Sequence, residues 1–328
     1  MVKKIMNEPQ NIVDEMLEGF VFAHEEIEWF PNYRVVALKE KKKGKVGIMS
    51  VGGSGHEPAH AGYVGYGMLD AAVCGEIFTS PGADKVYRAI QEVDSGAGVL
   101  LIIKNYSGDI MNFEMAAEMA AMDGITVKQV VVDDDIAVEN STYTVGRRGI
   151  AGTVFVHKIL GAAAEAGYSL DELVDLGNRL VNNIKTMGMS LKSCMVFSTG
   201  KQSFEIGDDE VEIGLGIHGE PGTHREKMAT ADEFTEKLFA QIDRETQLQK
   251  GEKIAVLVNG LGETTLIELF IINNHLQDLL QAKEVTVVKT FVGNYMTSLD
   301  MGGFSISIVK LDEEMRKLLL AEQDTIAF

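Results

Sequence analysis

The run GVLLII at 98–103 constrains the fold most strongly. An unbroken stretch of branched apolar residues suits a strand covered on both faces, as in a parallel sheet flanked by helices. It stops at the polar turn KNYSGD (104–109), and a helix rich in Met and Ala is predicted over 110–122. ITVKQVVV (125–132) is the next strand, ending in Asp133, Asp134 and Asp135. Strand, polar turn, helix and strand in this order make an α/β domain, whose ligand groups gather at the carboxyl ends of the strands.

Other segments extend the pattern. Ile12, Val13, Met16, Leu17, Phe20 and Val21 recur at helical spacing over 11–22. Residues 39–45 read as a short basic turn, 46–49 as a buried strand and 52–58 (GGSGHEP) as a glycine-rich loop. A helix is expected over 152–166. Ser169 with Glu172 forms a capping box that opens another helix running to about residue 184. A domain boundary is expected at 182–190, followed by a glycine-rich β-like stretch over 196–219. A helix capped by Thr230 with Glu233 comes next, then a polar link at 247–253, strands at 254–258, 285–292 and 304–311, and a helix at 265–281. The expected fold is two α/β domains, each a largely parallel or mixed sheet flanked by helices. Residues 1–184 carry the GGSGHE and KNYSGD loops and 185–328 carry the histidine of GIHGEPG. A chain of 328 residues exceeds what one core usually serves.

Charge narrows the function. Thirty Lys and Arg face 49 Asp and Glu, a net charge of −19, which disfavours direct contact with nucleic-acid phosphates. Cys74 and Cys194 cannot build a disulfide framework or a zinc site; a single bridge between them is the alternative to the two reduced thiols expected. The start MVKKIMNEPQ leads into acidic sequence and reads as no signal peptide. No window approaches the ~20 apolar residues of a membrane span. A cytoplasmic protein without membrane contact is expected.

Several residues can carry chemistry. Gly214-Leu215-Gly216-Ile217-His218-Gly219 matches G-x-G-x-x-G, but Glu220-Pro221-Gly222 is turn chemistry where a dinucleotide site needs a helix to begin. No P-loop sequence occurs; Gly200-Lys201 lacks the upstream glycine and the following hydroxyl. Gly53, Ser54 and His56 lie where a glycine-rich loop can offer backbone N–H groups to a ligand, or simply turn the chain. Asp109 is either a helix cap or a carboxylate facing a cleft, and the two are compatible. His218, among small residues, is sterically open and its imidazole can add to a carbonyl, bind metal or accept a proton, although a lone histidine is more often structural. His60, His157, His224 and His275 rank lower, and His157 reads as helix filler. Asp133, Asp134 and Asp135 can hold a divalent ion or lie solvated; Arg147 and Arg148 can hold an anion or pair with those acids.

Six motifs in order then carry a resemblance. GGSGHEPAHAG (52–62), CGEIFTSP (74–81), LLIIKNYSGDIMNFE (100–114), VVVDDDIAVENSTYTVGRRGIAGTV (130–154), GIHGEPG (216–222) and TSLDMGGFS (297–305) together resemble the K-subunit family of dihydroxyacetone kinases. The chain ends without the helical ATP-binding domain of the fused form, so it resembles the separate bacterial subunit.

That resemblance implies a homodimer of two-domain chains that binds dihydroxyacetone. His218 would hold the substrate carbonyl as a covalent hemiaminal. Gly53, with Ser54 beside it, and His56 would bind substrate hydroxyls, and Lys104 and Asp109 would line the site. Asp109 would take the hydroxyl proton as the oxygen attacks phosphorus, with His56 donating a hydrogen bond. This chain would bind no cofactor; Mg²⁺ and ADP or ATP would sit on an ADP-binding, L-type partner subunit fed by the phosphotransferase system. Covalent capture makes physical sense, since roughly six heavy atoms gain at best about −1.5 kcal/mol each without it. The sequence departs from the family pattern at Val51, at Gly82 and Ala83, and over 195–202. A non-catalytic paralogue that senses dihydroxyacetone and activates a transcriptional regulator is the alternative.

Overall fold

The structure, a computed structural model, describes residues 3–139, 144–197 and 199–328. Part of the motif at 130–154 and Ser198 of the stretch at 195–202 therefore lie outside the described residues.

The first sheet grows from the parallel strands that the apolar runs predict. The chain opens with α1 (Ile12–Phe22), β1 (Ile27–Phe30) and β2 (Val35–Leu38). It continues with β3 (Gly47–Ser54), the short β4 (Gly65–Tyr66), β5 (Ala71–Ile77), α2 (Ala83–Val93), β6 (Val99–Lys104), α3 (Ser107–Met122) and β7 (Val127–Val132). The described residues make a six-stranded sheet in the order β1-β2-β5-β3-β6-β7. β5, β3, β6 and β7 run parallel, while β1 and β2 add an antiparallel edge. Every residue of β6 is buried, as the run of branched residues demands. Val86, Ala89 and Ile90 of α2 and Phe113, Ala116 and Ala120 of α3 pack on Val51, Leu101 and Ile103. Each fully buried Val, Leu, Ile or Phe stabilises by about 1.5–3 kcal/mol.

Lys45 belongs to this core rather than to a solvated turn. Its Nζ lies 2.7 Å from Asp70 and 2.6 Å from Glu165, and the residue is 7% exposed. Two carboxylates offset the cost of burying one ammonium.

After β7 come α4 (Thr153–Glu165) and α5 (Leu170–Asn182), and the Ser169–Glu172 box opens α5 as expected. The second sheet follows with β8 (Ile184–Lys192), β9 (Met195–Val196), β10 (Lys201–Gln202), β11 (Glu210–Ile213), β12 (His224–Lys227), α6 (Ala231–Thr246), β13 (Lys253–Gly260), α7 (Leu266–Ala282), β14 (Thr286–Gly293), β15 (Gly302–Lys310) and α8 (Glu313–Leu319). Its order is β12-β11-β8-β15-β13-β14, antiparallel except for the β13–β14 pair. β9 and β10 form a separate two-stranded hairpin. Thr230 with Glu233 and Thr265 with Glu268 cap α6 and α7. Leu238 and Ile242 of α6 and Leu276 and Leu280 of α7 pack on Met187, Val256 and Ile306. The last strand, β16 (Asp324–Thr325), pairs with β4.

Two compact units result, and they interleave along the chain. The first comprises Met1–Val132, Phe155–Arg179 and Leu318–Phe328; the second comprises Asp133–Val154 and Leu180–Lys317. A single cut near residue 184 differs from this division in two places. Residues 133–154 join the second unit because Thr186 N–H donates to Asp134 O (2.8 Å) and Ile136 N–H to Thr186 O (3.0 Å). Residues 318–328 join the first because β16 completes the β4 pair and Gln323 Nε2 donates to Lys158 O at 2.7 Å. The expected boundary at 182–190 is largely β8, a central strand whose neighbours are β11 and β15, and α5 ends before it at Asn182. Cys74 and Cys194 are both buried thiols without a disulfide. Among the described residues no helix is long and apolar enough to cross a membrane.

Candidate functional site

In the first unit, predicted site residues gather where β3, β6 and α3 meet. Gly52 and Gly53 are the end of β3 rather than a loop. They are glycines because neighbours come too close for a side chain. A Cβ on Gly52 would lie 2.6 Å from Lys104 Nζ, and one on Gly53 would lie 2.5 Å from Thr79 N. Ser54 ends the strand, and its hydroxyl donates to Gly75 O at 2.8 Å. His56 is fully buried and stacks on Phe78 with ring centroids 5.3 Å apart.

Lys104, the last residue of β6, is also fully buried. Its Nζ lies 2.8 Å from His60 Nε2, and His60 Nδ1 lies 2.9 Å from His157 Nε2. Burial pushes the Lys104 ammonium below its usual pKa, opposed by the Asp109 charge. His157 is pushed down to about 3, first by burial and then by the Lys104 charge, so its ring is neutral.

Asp109 sits in the first turn of α3, 4% exposed, two residues past the helix start and so not its cap. The helix macrodipole favours a carboxylate there. Burial nevertheless lifts its pKa, against the Lys104 charge and a hydrogen bond from Ser80. Its Oδ1 is buried with no hydrogen-bond partner among the described residues. A buried carboxyl with a raised pKa and an unsatisfied oxygen is suited to receive a proton from a hydroxyl.

In the second unit, residues 214–222 form the loop between β11 and β12. His218 is 16% exposed in its side chain. Glu220 accepts the backbone N–H of His218 on Oε2 at 2.7 Å, and its Oε1 lies 3.9 Å from His218 Nδ1. Gly216 leaves room for that carboxylate, since a Cβ there would lie 2.1 Å from Glu220 Oε1. Burial raises the Glu220 pKa, opposed by Arg148, whose Nη1 is 3.8 Å away. Arg148, 2% exposed, in turn pairs with Asp135 at 2.6 Å and donates to Gly214 O at 2.9 Å. At 3.9 Å Glu220 Oε1 lies beyond hydrogen-bond reach of His218 Nδ1 and acts on the ring as a nearby buried carboxyl. No helix begins after Gly219; β12 intervenes and α6 starts at Ala231, so the glycine pattern is no dinucleotide loop.

The acidic run divides its work. Asp134 accepts the N–H groups of Ile150 and Gly152 at 2.7 and 2.8 Å, and Asp135 holds Arg148. Arg147 pairs with Glu245 at 3.0 Å. Pairing with the acidic run is thus observed for Arg148 but not for Arg147, whose carboxylate partner is Glu245. Sequence reasoning ranked His60 and His157 low and did not single out Glu220. The signal that could have found Glu220 is its spacing two residues after His218 in a glycine-rich loop. The contact of His60 with His157 joins residues 97 apart and left no local trace.

The Dak1 domain model matches residues 18–327. The chain is 54% identical to "PTS-dependent dihydroxyacetone kinase 1, dihydroxyacetone-binding subunit DhaK" of Listeria innocua, covering 100% of both chains. It is 44% identical to "PEP-dependent dihydroxyacetone kinase, dihydroxyacetone-binding subunit DhaK" of Escherichia coli over 95% of each. Among solved structures, "Dihydroxyacetone kinase operon co-activator Dha-DhaQ" superposes with a TM-score of 0.91 at 38% identity, covering 96% of this chain and 97% of that one. The native dihydroxyacetone kinase of C. freundii superposes with a TM-score of 0.88 at 34% identity, covering 99% of this chain and 60% of that one.

Proposed function

Since this chain belongs to the Dak1 family, we propose that it is the dihydroxyacetone-binding subunit of a dihydroxyacetone kinase fed by the phosphotransferase system. Dihydroxyacetone is held as a hemiaminal on His218 and phosphorylated to dihydroxyacetone phosphate by a partner that carries ADP or ATP with Mg²⁺. The observation that carries this reading is the His218–Glu220 pair: a partly exposed ring with a carboxylate 3.9 Å from Nδ1.

The chemistry balances simply. His218 Nε2 attacks the ketone carbon, the C–N bond forms and the C=O π bond breaks. The oxygen takes a proton from water and becomes a hydroxyl, while the ring loses its Nδ1 proton by way of Glu220 back to water, so that no net proton is gained or lost; the raised pKa of Glu220 suits it to carry that proton. Glycerol, lacking a carbonyl, cannot make this bond. Gly53, Ser54, His56 and Lys104 hold the substrate hydroxyls. Asp109 removes the proton of the hydroxyl that attacks phosphorus, and the rise of its pKa on burial makes it a stronger base than an ordinary carboxylate. Phosphoryl transfer needs mainly positioning and charge stabilisation, which an acidic chain leaves to its cationic partner. The working protein is a homodimer.

Carbon-13 NMR with dihydroxyacetone labelled at the carbonyl tests the capture step. The ketone signal should move to the saturated-carbon region in the parent chain and stay in place with His218→Ala. Retention of the saturated signal in that variant would sink the assignment. Product formation with the nucleotide-loaded partner and its phosphoryl relay tests the kinase reading.

The likeness to the co-activator favours a second reading, a ligand sensor that binds a transcriptional regulator. Two observations support the enzyme over it: the 54% identity to a kinase subunit and the buried, elevated carboxyl of Asp109. The sensor reading requires a dihydroxyacetone-dependent complex with a DNA-binding regulator and binding without turnover.

A further inference from the structure

Lys104, His60 and His157 form a buried chain of contacts that restricts the tautomers of both rings. An ammonium has three N–H donors and no acceptor. When Lys104 is charged, with its Nζ 2.8 Å away, His60 Nε2 is the accepting nitrogen and the neutral His60 ring carries its proton on Nδ1. That N–H lies 2.9 Å from His157 Nε2, which then accepts, and His157 carries its proton on Nδ1, an atom buried with no hydrogen-bond partner among the described residues. One charge at the end of β6 thus selects the tautomer of two rings, the second of them on α4.

The dependence runs both ways. A lysine side chain has four rotatable bonds, and an ammonium on such a stem is a poor positioning group unless something holds it. Here β3 offers only the bare Cα of Gly52 against Nζ, and His60 takes one N–H in a fixed direction. The remaining two N–H bonds then have set directions. The charged and titratable groups that act on Lys104 are Asp109 on α3, His60 and His157. The Tyr63 ring, 5.8 Å from that of His157, packs beside the chain.

We propose that His60 and His157 are positioning residues for Lys104: the locked tautomers of the histidine pair aim the two remaining N–H donors of the ammonium at a substrate hydroxyl. The proposal rests on Lys104 contacting the substrate, but its structural half does not.

The test has two arms. In the full chain labelled with ¹⁵N-histidine, long-range proton–nitrogen NMR without ligand should show His60 and His157 as Nδ1–H tautomers at neutral pH. An Nε2–H tautomer on either ring would overturn the proposal whether or not the chain binds dihydroxyacetone. Calorimetric titration with dihydroxyacetone is the second arm. His157→Leu leaves His60 Nδ1–H without an acceptor and favours the tautomer that turns an N–H on the ammonium. It should weaken binding by about tenfold or more. His157→Asn offers an amide oxygen to the same N–H and should recover most of that loss. Equal affinity of the two variants would overturn the proposal, because a role in packing alone would not distinguish an acceptor from a methyl group. If His157→Leu does not fold, the tautomers of the parent chain still decide. If the parent binds no dihydroxyacetone, the functional reading falls while the tautomers are read independently.

Discussion

Glu220 holds the backbone of His218 and faces its ring: Oε2 accepts the His218 N–H at 2.7 Å, and Oε1 stands 3.9 Å from Nδ1, beyond hydrogen-bond reach. The first contact fixes the loop, and the second fixes the electrostatics of the imidazole. Addition of Nε2 to a ketone puts positive charge on the ring, and the carboxylate is most stabilising at that moment.

Glu220→Gln keeps the size and an oxygen for the backbone N–H but removes the charge. A unit charge about 4 Å away is worth at least ~1 kcal/mol even in bulk water. Adduct formation should therefore slow by on the order of tenfold, with the fold intact by circular dichroism. Stopped-flow or NMR measurement of the capture rate reads the effect, and a rate equal to the parent's would remove Glu220 from the mechanism.

Asp109→Asn should spare dihydroxyacetone binding and lower turnover by about 10²–10⁴. The pH dependence has a definite sign. Burial raises the carboxyl pKa, the base works only when ionised, and turnover must rise as pH climbs through that raised value. The acidic limb of the profile should lie above the ordinary carboxylate range of about 4. A limb at the ordinary value would contradict the buried environment.

Gly52→Ala introduces a Cβ 2.6 Å from Lys104 Nζ and 3.3 Å from His60 Nε2, so the ammonium must move. Calorimetry should show dihydroxyacetone affinity down by about tenfold, the effect of losing one charged hydrogen bond. Gly19→Ala, in an exposed turn of α1 with nothing within 4 Å of the added carbon, is the control. It should leave affinity unchanged and raise stability by about 0.5–1 kcal/mol.

Arg148→Met leaves Asp135 and Glu220 buried without their guanidinium. Removing one partner of a buried ion pair costs about 3–5 kcal/mol. Urea denaturation of the full chain should show a loss of that order, and a loss below about 1 kcal/mol would mean that the pair is not a structural hub.

Local pattern made much of the architecture readable. The branched residues of β6 and the Thr-x-x-Glu and Ser-x-x-Glu boxes act within one strand or one helical turn, so their physics is written in adjacent residues. The sequence of β8 was harder to interpret. Its residues Ile184–Lys192 mix Gly, Ser, Thr and Met, and nothing in them announces a central strand. The Gly52–Gly53 pair looked like a loop because glycine weakens strands, yet here it lets β3 pass close to Lys104 and Thr79.

The chain by itself determined which chemical groups are present and that they lie in loops and strand ends of α/β units: His56, Asp109 and His218 stand out by type and setting, and Lys104 only by the family resemblance. Tertiary structure alone decided what each of them faces. His60 meets His157 and Glu220 meets Arg148 across 97 and 72 positions of the chain. Such pairings follow from the cost of burying polar and charged groups, which favours a partner wherever the fold brings one within reach.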